Sequence, residues 1–180
     1  FSDSERVTDG RETGIVLRTP DGTPHRIDLS LATSTTEQHG PLRACVRFKG
    51  KHRASDGSEM FPYVIRLHLF RGQPFFKFDY TFINDYQDEL MARIDSIELV
   101  CSPPGGENAN QFVINGQRTT EPTRLMQVDD QQFQVNGETS PGRAPGWAAV
   151  ATANGGSALG VNDFWQNWPK SVEVAPGQLR

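Results

Sequence analysis

Long hydrophobic runs are missing from this sequence. No segment of its 180 residues approaches the roughly 18 consecutive apolar residues that a membrane-spanning helix needs, so we expect no association with a membrane. The first residues, FSDSERVTDG, include neither an initiator methionine nor the apolar segment of a signal peptide. We therefore interpret the chain as a mature protein or as an internal piece of a longer one.

Cysteine is scarce as well. Only Cys45 and Cys101 occur, far apart in sequence, and there is no C-x-x-C pair and no paired histidine spacing. Structural zinc sites need such spacings, so we expect no structural metal, and we also expect no cofactor. Both cysteines lie in strand-like segments. A disulfide between neighbouring strands and two buried free thiols are both compatible with this placement.

Positive charge is in deficit. The chain has 18 lysines and arginines against 22 aspartates and glutamates, which gives a formal net charge of −4 and a pI near 5.6. The basic residues are scattered along the sequence, whereas a surface that binds a phosphate backbone concentrates them in a patch or stripe. We therefore expect no nucleic-acid partner.

Sustained helical periodicity is also missing, and short strand-like segments recur along the chain instead. Turn-forming pairs such as Asp21-Gly22, Asn115-Gly116 and Asn136-Gly137 separate these segments. The pattern predicts an all-β protein, an antiparallel β-sandwich of two large sheets, with residues 1–180 forming one domain. The predicted strands are residues 15–19, 25–31, 42–50, 61–70, 75–83, 92–101, 111–114, 124–128, 132–135, 146–153, 158–164 and 171–174.

Two segments do not fit the strand pattern. Residues 86–94 (YQDELMARI) are the strongest helix candidate, which we interpret as a loop with one helical turn at most. Residues 102–110 (SPPGGENAN) are interpreted as a surface loop, because consecutive prolines and glycines interrupt both helices and strands. His39, in the polar segment TTEQHGP, is also assigned to a loop.

Alternation within three central strands assigns their side chains to two faces of a sheet, because successive residues of a strand point in opposite directions. If these strands are neighbours, one face is a continuous apolar wall and the opposite face is polar. The predicted polar face carries Arg43, Arg47, Arg66, His68, Lys77 and Asp79. The predicted hydrophobic anchors are Val46, Phe48, Ile65, Leu67, Phe76, Phe78, Tyr80, Phe82, Ile97 and Leu99.

The basic residues of the polar face permit two interpretations. Antiparallel sheets commonly leave one face in water, so a solvated surface accounts for these residues without any function. In the second interpretation, the five basic or potentially basic groups of this face attract a uronate-bearing polysaccharide or an acidic partner domain, with Arg43, Arg47 and Lys77 as the candidate substrate-binding residues. Arginine suits this role because its guanidinium donates two parallel hydrogen bonds to a carboxylate.

Two tryptophans lie among amides and a carboxylate in VNDFWQNWPK, residues 161–170. Aromatic rings with polar neighbours suit stacking on sugars, so Asp163, Trp165 and Trp168 are candidate substrate-binding residues. Packing at the edge of the sandwich is the alternative, and we favour it for Trp165, which follows Phe164 at the end of a predicted strand. For Trp168, which precedes Pro169 in a predicted turn, both interpretations stay open.

The segment GWAAVATANGGSALGVNDFWQNWPKSVEV, residues 146–174, resembles a motif of the exo-acting rhamnogalacturonan lyase-like family related to the YetA proteins of bacilli. The similarity consists of a Gly-Trp strand, a glycine turn, Asp-Phe-Trp-Gln at 163–166 and Pro-Lys at 169–170. The segment VIRLHLFRGQPFFKFDYTFIND, residues 64–85, is similar to a hairpin of the same family that contains Arg-Leu-His and ends in Thr-Phe-Ile-Asn.

The resemblance implies a galactose-mutarotase-like supersandwich at the centre of a multidomain polysaccharide lyase, secreted or periplasmic. The implied reaction is β-elimination, in which a base removes the proton α to a uronate carboxylate while cations neutralise the enolate. His68 and Arg66 have suitable chemistry, yet the main catalytic groups are expected outside this chain. The implied partners are an acidic polysaccharide and neighbouring domains of the same chain. The alternative is a non-catalytic carbohydrate-binding or interaction module.

Overall fold

The structure is a computed structural model that describes residues 14–85, 92–102, 109, 111–152 and 155–180. About 60% of these residues lie in strands, and the helical structure among them is one 3-10 turn at Leu29–Leu31. The strand pairs are antiparallel, so the predicted all-β, antiparallel class is confirmed. The strands belong to three sheets, where two were predicted.

The chain divides into two compact units, Gly14–Glu98 and Leu99–Arg180. The assignment of residues 1–180 to one domain stays a prediction. A seven-stranded sheet has the order β6-β5-β4-β2-β1-β7, in which β3 also pairs with β4, and its residues belong to the first unit except for Leu99 and Val100 at the end of β7. Its strands are β1 (Gly14–Arg18), β2 (Pro24–Arg26), β3 (Thr33–His39), β4 (Arg43–Arg53), β5 (Glu59–Phe70), β6 (Phe76–Phe82) and β7 (Ser96–Val100).

Strands β4, β5 and β6 form a meander whose register confirms the two predicted faces. Cys45, His68 and Lys77 are paired across the three strands, and so are Arg47, Arg66 and Asp79. On the opposite face, Val46 pairs with Leu67, and Leu67 pairs with Phe78. Because directly paired residues point to the same side of a sheet, the polar and apolar residues are segregated.

Strand β3 was missed by the sequence analysis because TSTTEQH contains no apolar residue, and every residue of this strand is exposed. Threonine nevertheless favours extended backbone. His39 therefore lies in a strand, and its assignment to a loop was wrong. The pairing of β3 with β4 shifts between Thr36 and Gln38, so Glu37 is the extra residue of a β-bulge.

The apolar face of the first unit is buried unevenly. Tyr63 and Ile65 in the middle strand β5 are 1% and 8% exposed, whereas Phe76 in β6 is 61% exposed. Within the described residues β6 pairs only with β5, so its side chains have strand neighbours on one side. Phe76 and Phe82 were therefore wrong as core anchors, and so was Ile97, which is also exposed.

The first predicted hairpin is confirmed, but its second strand is shorter than predicted. Strands β1 and β2 pair antiparallel through a turn in which Gly22 has φ +84°. The side chain of Asp28 accepts a hydrogen bond from the backbone N–H of Ser30 and caps the 3-10 turn. That local bond competes with strand pairing, which explains why the strand predicted over 25–31 ends at Arg26.

The second unit contains a five-stranded sheet of order β12-β11-β10-β15-β16 and a four-stranded sheet of order β14-β13-β8-β9. Phe112 and Val150 from the four-stranded sheet and Leu125 and Val172 from the five-stranded sheet belong to one buried core, as in a β-sandwich. The strands are β8 (Gln111–Ile114), β9 (Gln117–Thr119), β10 (Thr123–Gln127), β11 (Gln132–Val135), β12 (Glu138–Pro141), β13 (Trp147–Thr152), β14 (Gly155–Gly160), β15 (Lys170–Ala175) and β16 (Gln178–Leu179).

Asn-Gly pairs close two hairpins of the second unit, as predicted. In both Asn115-Gly116 and Asn136-Gly137 the two residues have positive φ, which is the conformation of a type I′ turn. The strand predicted over 158–164 ends instead at Gly160. Asp163, with φ +49°, lies in the turn that follows, so the peptide departs from the extended conformation before Trp165.

Several expectations concern residues at the limits of the described structure. Residues 86–91 of the helix candidate lie outside it, and residues 92–94 have no regular structure. Of the predicted loop 102–110, only Ser102 and Ala109 are described.

Cys45 and Cys101 are both free thiols. In the part of the chain that the structure describes, no helix has the length and apolar character to cross a membrane.

Candidate functional site

Glu37 is the centre of an ion-pair network on the polar face of the seven-stranded sheet. The bulge in β3 brings its carboxylate to Arg47, with Nη1 3.0 Å from Oε1, and to Arg66, with Nε 2.8 Å from Oε2. The hydrogen bond from Arg66 is the main cause that holds the pKa of Glu37 below its usual value, and the charges of both arginines contribute. Two predicted substrate-binding or catalytic arginines thus already have a carboxylate partner.

His68 lies in the same face and has both ring nitrogens occupied. Its Nδ1 is 2.7 Å from Nη2 of Arg43, and its Nε2 is 2.9 Å from Oδ2 of Asp79. A guanidinium can only donate, so Nδ1 accepts, and Nε2 carries the proton that it donates to Asp79. This hydrogen-bond pattern assigns a neutral imidazole. The ring is 6% exposed, so this part of the polar face is more than a solvated surface.

Asp79 connects His68 to Lys77, whose Nζ lies 2.9 Å from Oδ1. The hydrogen bond from Lys77 is the main cause that lowers the pKa of Asp79, and the bond from His68 acts in the same direction. Lys77, another predicted substrate-binding residue, therefore also has a carboxylate partner.

Arg43 differs from the other predicted cations of this face. Within the described residues it has no ion pair with a carboxylate, and its close polar contact is the neutral ring of His68. Its Cζ lies 5.9 Å from the centroid of the Phe70 ring, and Phe70 in turn contacts Phe75 with ring centroids 5.6 Å apart. Phe75 is 57% exposed. An exposed guanidinium and an exposed aromatic ring thus both contact the side chain of Phe70.

The tryptophan segment lies in the second unit, and Phe164 anchors it. Phe164 is 2% exposed and packs against Gly146. Trp165 is partly buried, and the guanidinium of Arg143 lies 3.8 Å from the centroid of its ring. Trp168 is 49% exposed, and Asp163 is exposed in the preceding turn. Arg143 therefore occupies one surface of the Trp165 ring, while about half of Trp168 is accessible to a ligand.

The structure thus distributes the candidate residues over two places. Arg43, Arg47, Arg66, His68 and Lys77 share one face in the first unit, and Asp163, Trp165 and Trp168 share one turn in the second. Sequence reasoning overlooked the partners that organise both places, Glu37 and Arg143. The alternation of threonine and polar residues around Glu37 was the available signal for an exposed strand, but nothing in the local sequence linked Arg143 to Trp165.

A second buried histidine, His52, has a structural environment. Its Nδ1 donates to the backbone carbonyl of Phe61 at 2.7 Å, and its Nε2, 2.8 Å from the hydroxyl of Tyr80, accepts from it. Burial lowers the pKa of His52 and raises that of Tyr80. The ring is fully buried, so it has no access to a substrate.

The described residues contain no group of three or more His, Cys, Asp or Glu side chains that could hold a metal ion. The polar face itself presents arginine, lysine and imidazole groups. These groups bind carboxylates and sugar hydroxyls through directed hydrogen bonds.

Comparison with known proteins gives one family. Residues 18–111, which are 94 of the 180, match the family described as PcRGLX-like protein central beta sandwich domain, a rhamnogalacturonan lyase-like family. The matched range includes the hairpin at 64–85 and the whole polar face, but not the motif at 146–174. No curated protein and no solved structure shows significant similarity to the chain.

Proposed function

Because the chain belongs to the family of PcRGLX-like protein central beta sandwich domains, we propose that it is the β-sandwich domain of a secreted polysaccharide lyase. The substrate is a uronate-containing, rhamnogalacturonan-like polysaccharide, cleaved by β-elimination. The observation that carries this proposal is the polar face with its three arginines, Arg43, Arg47 and Arg66, which lies inside the matched range. Guanidinium groups recognise uronate carboxylates through paired, charge-assisted hydrogen bonds.

The main catalytic groups lie outside this chain. β-Elimination needs a base with a free lone pair near the proton α to the carboxylate, together with a cationic clamp on that carboxylate. The hydrogen bonds of His68 in the unliganded chain support this assignment. Its Nδ1 lone pair accepts from Arg43, and its Nε2–H donates to Asp79. In this proposal the sheet holds the acidic chain, and a neighbouring domain contributes the base.

Two measurements on the 180-residue chain test the proposal. Titration with oligogalacturonate, observed by NMR, should give saturable binding that weakens with added salt, and a carboxyl-reduced, neutral oligomer of equal length should bind much more weakly. Incubation with pectic polysaccharides should produce no rise in ultraviolet absorbance from unsaturated uronate. Equal binding of the charged and neutral oligomers would contradict the substrate class, and a rise in absorbance would place the catalytic groups within this chain.

One observation favours a second candidate function, a non-catalytic carbohydrate-binding module. Trp147 and Trp168 in the second unit are 37% and 49% exposed, and exposed tryptophans are the usual stacking surfaces for sugar rings. Such a module predicts binding of neutral as well as acidic oligosaccharides, with loss of binding on Trp168→Ala and little dependence on salt. The same titrations therefore separate the two functions.

A further inference from the structure

We propose that Arg43 and Phe75 form a subsite for one carboxylate-bearing sugar residue, in which Arg43 binds the carboxylate and Phe75 stacks on the sugar ring. This inference rests on the proposed function and locates the acidic ligand at one end of the polar face. The pairing of β4 with β5 places Arg43 next to Phe70, and the turn that follows β5 returns the chain to Phe75.

Arg43 is the cation on this face that is best placed to accept a new carboxylate. Arg47 and Arg66 hold Glu37, and Lys77 holds Asp79, so a ligand that bound to any of them would have to share or displace an internal carboxylate. Arg43 instead donates to the neutral ring of His68. A ligand carboxylate offers its guanidinium a stronger, charged acceptor than an imidazole nitrogen does.

Phe75 supplies the apolar half of the subsite. Its ring is 57% exposed and contacts Phe70, which itself lies beneath the Arg43 guanidinium. Phe70 thus contacts both of the proposed ligand-binding side chains. A sugar ring presents an apolar face for stacking, and the carboxylate at its edge extends beyond the aromatic ring towards a cation.

Binding of a carboxylate changes the hydrogen bonding of His68. When Arg43 turns its N–H groups to the ligand, Nδ1 of His68 loses its donor, while Nε2 keeps its bond to Asp79. The freed lone pair then accepts a hydrogen bond from a hydroxyl of the bound sugar, so His68 still has no lone pair free to act as the base. Occupation of the subsite is therefore visible at a ring nitrogen that does not itself touch the carboxylate.

The test is a set of oligogalacturonate titrations on the full 180-residue chain and four variants. We expect Arg43→Gln to weaken binding at least about tenfold, through loss of a charge-assisted contact, and Phe75→Ala about fivefold, through loss of stacking. Two matched controls should bind as the wild type does. Phe76→Ala removes an exposed phenylalanine from the opposite face of the sheet, and Arg118→Gln removes an exposed arginine from β9.

The ¹⁵N resonance of His68 Nδ1 supplies the second readout. It should shift when oligogalacturonate is added to the wild type, and the neutral, carboxyl-reduced oligomer should leave it unchanged. Arg43→Gln deprives a buried imidazole of a donor, so thermal unfolding should verify that this variant is folded. Phe75→Ala alters an exposed residue and remains informative even if Arg43→Gln is unstable.

The outcomes separate this inference from the proposed function. Uronate-selective binding that is unchanged in both Arg43→Gln and Phe75→Ala would overturn the subsite and leave the proposed function intact. Equal binding of the charged and neutral oligomers would overturn both. Loss of binding in the Phe76→Ala control to the same extent as in Phe75→Ala would show that the effect is not specific to the polar face, and would also overturn the subsite.

Discussion

The side chain of Phe164 lies directly against the backbone of Gly146. A β-carbon at position 146 would come within 2.2 Å of Cβ of Phe164, and Gly146 has φ +68°. Both the space and the backbone conformation therefore require glycine at this position. This contact secures the start of β13 to the turn that carries Trp165 and Trp168.

Gly146→Ala should accordingly destabilise the protein by at least about 2 kcal/mol, because backbone strain and a steric overlap add. Gly22→Ala is the matched control, since Gly22 also has positive φ but has nothing near its missing side chain. It should cost about 1 kcal/mol. Urea unfolding of both variants provides the comparison. Equal losses of unfolding free energy would show that the Phe164 side chain moves aside without destabilising the protein.

On the apolar face of the first unit, the loss of stability on truncating a side chain to alanine should increase with the burial of that side chain. Tyr63→Ala should cost about 3–5 kcal/mol because it opens a cavity at a residue that is 1% exposed. Phe76→Ala, on the same face but 61% exposed, should change stability by less than about 0.5 kcal/mol. Chemical denaturation measures both. A large loss for Phe76→Ala would mean that this side chain is covered in solution.

His52 should make the stability of the protein depend on pH. Burial holds its folded-state pKa below the ordinary value of 6.5, so the unfolded chain binds more protons than the folded protein in the interval between these two pKa values. Stability therefore falls as the pH decreases from about 6.5 towards the folded-state pKa. Urea unfolding at a series of pH values from 7 to about 5 measures this loss.

Two variants test whether His52 is the source of this pH dependence. His52→Gln should lower stability at pH 7, and its deficit relative to the wild type should shrink as the pH falls, because glutamine does not titrate. His39→Gln, at an exposed histidine of β3, should keep the pH profile of the wild type. Parallel profiles for the wild type and His52→Gln would exclude His52 as the source.

The two tryptophans of the turn should behave differently. Trp165→Ala should cost about 2 kcal/mol, since it removes a partly buried ring together with its contact to Arg143. Trp168→Ala should leave thermal stability nearly unchanged, because this ring is about half exposed. Thermal unfolding and oligosaccharide titration of both variants give the answer. Unchanged stability with lost binding in Trp165→Ala would reverse the preferred structural role of Trp165.

Local patterns were sufficient for the strands of the central meander and for the Asn-Gly turns. A period of two is a property of a single strand, so the faces of β4, β5 and β6 were predictable without knowledge of their partners. The type I′ turns at Asn115-Gly116 and Asn136-Gly137 depend on the φ preferences of two adjacent residues. The exposure of Phe76 was not predictable in this way, because it depends on the position of β6 in the sheet.

The sequence by itself therefore determined the all-β class, the turns and which residues share a face, since each follows from residues near one another in the chain. Only the tertiary structure decided which charges are compensated and which nitrogen of His68 accepts. Arg66 meets Glu37 across 29 positions, and His68 meets Arg43 across 25. Such pairs depend on strand order, on register and on the bulge at Glu37, and these are set by packing and hydrogen bonding between distant segments.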